Sequence, residues 1–124
     1  MDDQEKANKE YSERLTQARL HILPISLADY KVKTGRSIED VTLETINGFS
    51  DKWSQYLNSP VNSALLDLYS KMQKNGIEYA VCLQIQLVCK PIPQNDSADY
   101  SPWAAQVTAV GLKQKTMGES NGGI

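Results

Sequence analysis

Between Gly76 and Lys90 the chain reads Gly-Ile-Glu-Tyr-Ala-Val-Cys-Leu-Gln-Ile-Gln-Leu-Val-Cys-Lys. Ile77, Tyr79, Val81, Leu83, Ile85, Leu87 and Cys89 occupy every second position, the period of a β-strand with one buried face. The alternate positions, Glu78 through Lys90, are polar at both ends and uncharged through the middle. A strand of this length needs a partner strand and a covering layer. A second alternating stretch starts at Trp103, with Ala105, Val107 and Ala109 on the same side. The two are expected to pair antiparallel. Their connection, Pro91 to Pro102, is too long for a tight hairpin.

The covering layer is read from the preceding segments. Ala7, Tyr11, Leu15, Ala18 and Ile22 recur at helical spacing, which predicts a helix from Asp3 to Leu23, closed by Pro24. Acidic residues at its start and Arg19 and His21 near its end suit the helix dipole. Ser59-Pro60 opens another helix, with Ser59 as cap and Pro60 at the first helical position. Val61, Leu65, Leu68 and Met72 form its stripe, and Asn75-Gly76 stops it. Residues 38–57 also read as helical, with Ser37 as cap, either continuous or broken at Asn47-Gly48. Pro24 to Arg36 reads as a connector, with a short edge strand at Ser26 to Val32 and a turn at Lys33-Thr34-Gly35-Arg36.

The fold class is therefore α+β. N-terminal helices pack on a small antiparallel sheet formed mainly by residues 77–90 and 103–113. Residues 1–116 are expected to form one globular domain with a frayed start, and residues 117–124, rich in glycine, a disordered tail. Two strands alone make a marginal sheet. The Ser26 to Val32 segment or a second copy is expected to complete it.

Charge limits the partners. The chain carries 13 Lys and Arg against 15 Asp and Glu, a formal net charge of -2. Such a balance gives no general support for wrapping a phosphate backbone. Cys82 and Cys89 lie seven residues apart, roughly 23 Å along a strand and on opposite faces, too far to bridge. Two free thiols fit a reducing compartment. A polar amino terminus unlike a signal peptide, and no long apolar run, point to cytoplasm or nucleus and to no membrane.

Catalytic chemistry finds little footing. His21 is the single histidine. Cys82 and Cys89 lack metal-ligand spacing, so no metal or cofactor is expected. Asp40 and Glu44 sit four apart, which a solvated helix face explains. Lys33-Thr34-Gly35-Arg36-Ser37 offers a basic turn ahead of a helix, a weak anion motif. Trp53 reads as core. Tyr100 and Trp103 adjoin the polar loop Gln94-Asn95-Asp96-Ser97, where aromatic anchors beside hydrated residues suit a partner surface.

The expected function is that of a small protein-interaction module. It would act as a subunit, adaptor or inhibitor within a complex, with no catalysis of its own. Its expected contact residues are Tyr100, Trp103, Asp96 and Gln84, with a protein partner or a second copy as occupant. The alternative is a nucleic-acid-binding accessory subunit that uses Arg14, Lys31, Lys33 and Arg36 as a local basic patch.

Overall fold

The structure is a computed structural model that describes residues 2–36, 39, 41–90 and 101–114. Helix α1, Asp3–His21, is capped by Asp2, whose carboxylate accepts the Glu5 amide at 2.8 Å. Its apolar stripe is buried only at the C-terminal end. Ala18 and the following Ile22 are inside, whereas Ala7 and Tyr11 are exposed.

Ser26 to Val32 is not an edge strand. It belongs to a second helix, α2, Leu27–Thr34. Ser26 caps it, its hydroxyl accepting the Asp29 amide at 3.1 Å. Gly35 ends it at φ 68°, the left-handed conformation that glycine adopts without steric cost. Residues just before α2 do contribute to the sheet. Leu23 N donates to Ala80 O at 2.8 Å, and Cys82 N donates to Ile25 O at 2.7 Å.

The helical reading of residues 38–57 is also overturned. Val41–Phe49 is strand β1, rich in β-branched residues. Ile46 and Gly48 face the helices, while Val41 is buried on the other side of the sheet. Glu44, placed on a helix face by the sequence reading, lies on this strand. The proposed cap Ser37 falls outside the described residues. Helix α3, Asn58–Lys74, begins one residue before Ser59, and its N-cap position, Leu57, makes no side-chain capping bond. Of its predicted stripe, Leu65, Leu68 and Met72 are buried and Val61 is half-buried, and Ala64 is buried beside them.

Strands β2, Ile77–Cys89, and β3, Trp103–Gln114, complete the sheet. The order is β1-β3-β2, and β3 runs antiparallel to both neighbours. β1 and β2 are therefore parallel, joined through α3 in a split β-α-β arrangement.

The sheet carries a core on each face. On one, α1 and α3 cover Ile46, Ile77, Ala80, Ala105, Val107 and Ala109. On the other, Tyr30 of α2 covers Val41, Val81 and Leu112. The single buried row expected for β2 is divided between these cores. Register shifts occur between Ile77 and Tyr79 and between Val81 and Gln84. Each inserts an extra residue into β2, and each bulge exchanges the faces. Tyr79 and Val81 consequently point to α2, whereas Ile77 and Leu83 join the α1 and α3 side. Among the described residues, no helix is long and apolar enough to cross a membrane.

Candidate functional site

The two edges of the sheet differ. β1 is held from outside by α3. Lys71 Nζ donates to Asn47 O at 3.0 Å, and Asp67 Oδ2 accepts the Phe49 amide at 2.9 Å. Asp67 and Lys71 also pair with each other at 3.0 Å, and the Lys71 ammonium lies 4.9 Å from the centre of the Phe49 ring. These side chains occupy backbone groups that an incoming strand would need.

Among the described residues, β2 is covered on its outer side only as far as Leu83. There Leu23 O accepts the Leu83 amide at 3.4 Å, the end of the contact with residues 22–25. From Gln84 to Cys89, no described residue pairs with the outer edge. Every side chain of this half-strand is exposed, and Ile85, Leu87 and Val88 are 49%, 46% and 41% accessible. None of Tyr79 through Cys89 carries a formal charge and none is proline, the usual devices that discourage strand addition.

The two faces beside this edge are shaped. Toward α1 and α3, a groove of about 280 Å³ is lined by Ile22, Pro24, Val61, Leu65, Leu83 and Ile85. Arg19 stands at it, its Nη2 donating to Asn62 Oδ1 at 2.7 Å. On the opposite face, Phe49, Trp53, Val88, Ala104 and Gln106 line a second groove. The Lys90 ammonium lies 5.0 Å from the Trp53 ring centre. Trp53 is 43% exposed and Tyr56 more so, which corrects the reading of Trp53 as core.

Comparison with known proteins identifies no relative: no family model, no curated protein and no solved structure matches the chain.

The residues singled out from sequence are dispersed. Gln84 is exposed at the start of the open half-edge, opposite Thr108. Trp103 is half-buried at the start of β3, opposite Cys89. Its backbone exchanges two hydrogen bonds with Ser54, at 2.8 and 2.9 Å. Tyr100 and Asp96 fall outside the described residues, as does the rest of the loop up to residue 100. Arg14 lines a surface between α1 and α3, whereas Lys31 and Lys33 lie on α2, across the sheet. Arg14 therefore stands apart from the cations of residues 31–36. Arg36 is engaged with Glu78 at 3.0 Å and lies over the Tyr79 ring at 5.2 Å. The hydrogen bond that Arg36 donates to Glu78, and the Glu78 charge, hold the guanidinium above its ordinary pKa, with Tyr30 acting in the same direction.

His21 is part of the scaffold. Its Nδ1–H donates to Gln17 O at 2.8 Å, and the ring stacks with Tyr69 and contacts Tyr79. Among the described residues, no group of three or more His, Cys, Asp or Glu side chains is arranged to hold a metal. Cys82 is half-buried and Cys89 exposed, both as free thiols. Sequence reasoning took Ile85 and Leu87 for core and so missed this edge. The available signal was the uncharged run itself, in a sheet short of strands.

Proposed function

We propose that the protein is an interaction module that binds another protein chain by strand addition to Gln84–Cys89. It would serve as a subunit, adaptor or inhibitor within a complex, without catalysis of its own. The observation that carries this reading is the half-edge beyond Leu83, unpaired among the described residues and flanked by exposed Ile85, Leu87 and Val88. In strand addition the backbone supplies affinity and the alternate side chains supply selection. Here the backbone groups of one strand and an apolar groove lie side by side.

The test compares the wild-type chain with Leu87→Lys as bait under native conditions, followed by mass determination of the intact complex. Leu87 is half exposed, so the substitution is expected to leave the melting temperature nearly unchanged. Binding is expected to be lost, because an incoming strand would bury the ammonium. An identical complex recovered with both baits would reject the edge as the binding surface.

A further inference from the structure

We infer that the strand added to this edge is the same half-strand of a second copy, giving a two-fold dimer with a continuous six-stranded sheet. The inference rests on the edge reading above and names its occupant.

Self-pairing fits the local chemistry. A two-fold interface brings one patch against itself, so any charge near the axis meets its own kind. Gln84–Cys89 carries none. Across an antiparallel pair, opposed side chains share a face. Ile85, Leu87 and Cys89 share the α1 and α3 side with Val107, Ala105 and Trp103, their neighbours on β3. A second copy would extend this row with identical residues, aliphatic beside aliphatic. Gln84, Gln86 and Val88 would lie together on the other face.

The covered part of the edge selects the register. Residues 22–25 occupy the outer side of β2 up to Leu83. The incoming strand must therefore pass outside that segment, while its own ordered pairing runs to Cys89. Among registers that keep equal faces together, the longest overlap without collision places Leu87 beside Leu87. Ile85 then lies opposite Cys89 of the other copy, Gln86 opposite Val88, and Gln84 opposite Lys90. No like charges face each other directly. β1 offers no such surface, because Lys71 and Asp67 hold its end and Glu44 would meet the partner strand.

Six residues extend roughly 20 Å. The interface is small beside the roughly 800 Å² per partner of a stable complex, so the dimer is expected to be reversible and concentration-dependent. Sedimentation of the purified full chain from about 1 µM to about 1 mM brackets the affinities of such contacts. The expected result is a shift from the 13.8 kDa chain to twice that mass, abolished by Leu87→Lys, with backbone amide exchange at Gln84–Cys89 slowing as concentration rises. The register is tested with Ile85→Cys under oxidation. A disulfide-linked dimer should form through native Cys89 and disappear when Cys89→Ser is added. A monomer throughout would overturn the inference, and so would a dimer indifferent to Leu87→Lys. A purified monomer whose capture of a different protein still depends on Leu87 would overturn the self-pairing while leaving the edge reading standing.

Discussion

Two residues fix how closely the layers approach and where β2 turns its faces. Gly48 sits where α3 crosses β1. A Cβ there would run into Ala64 O and would lie 2.8 Å from Leu68 Cβ. Glycine is needed for that approach, although the sequence suggests only a helix breaker at this position. Gly48→Ala is expected to cost roughly 1–3 kcal/mol through overpacking, measured as a lower urea midpoint with unchanged slope. An unshifted midpoint would mean that α3 yields freely. Cys82 holds φ at 58° within the second β2 bulge. Non-glycine residues bear this conformation at a cost, and β-branched ones bear it worst. Cys82→Val should therefore destabilise the chain by about 1–3 kcal/mol, despite the similar size of the two side chains. Equal stability of the variant and parent by denaturant titration would remove strain from the account of this bulge.

At the scale of elements, legibility followed the number of faces each element buries. α3 buries one face, and β3 from Ala105 to Ala109 also buries one, before Leu112 joins the other core, so their periods appear undisturbed in Leu65, Leu68 and Met72 and in Ala105, Val107 and Ala109. β1 buries Val41 on one side of the sheet and Ile46 on the other. Its apolar positions therefore imitate helical spacing, and the strand was misread. β2 shows perfect alternation in sequence, yet two bulges divide that alternation between two cores. A periodic pattern records which residues are apolar; it does not record where the covering layer ends. That is why Ile85 and Leu87 read as core while standing at an edge that no described residue pairs with. α2 was missed because its signals are local: the cap Ser26, Asp29 in the first turn, and Gly35 at the end. The Ser26 cap should be worth about 1 kcal/mol. Ser26→Ala is expected to lower helical protection over Leu27–Thr34 by that order in amide exchange. Unchanged protection would show that burial of Tyr30 alone holds α2.

At the scale of the whole molecule, the two cores are unequal. Among the described residues, twelve buried side chains form the core under α1 and α3, against four in the core under α2. The larger core contains residues from α1, α3 and all three strands. The smaller one is closed by a single helix through one fully buried aromatic, Tyr30, whose ring lies 5.7 Å from that of Tyr79. Cooperative units follow the density of buried contacts, so α2 is expected to open without the rest of the molecule. Leu68 is fully buried at the centre of the larger core, and Leu68→Ala should cost about 2–5 kcal/mol. That loss should appear as faster exchange throughout α3 and β3, because their slow amides open only through global unfolding. Tyr30→Ala should behave differently. Exchange over Leu27–Thr34 should rise sharply, while α3 and β3 keep most of their protection, since Val81 and Leu112 remain part of an intact sheet. Native-state hydrogen exchange on the two variants reads both outcomes. If Tyr30→Ala accelerated β3 as much as Leu68→Ala does, the two faces would be one cooperative unit and α2 an integral part of it. If the difference holds, the proposed strand addition at Gln84–Cys89 would act on the more stable part of the molecule, where the backbone is already ordered and little conformational entropy would be lost on binding.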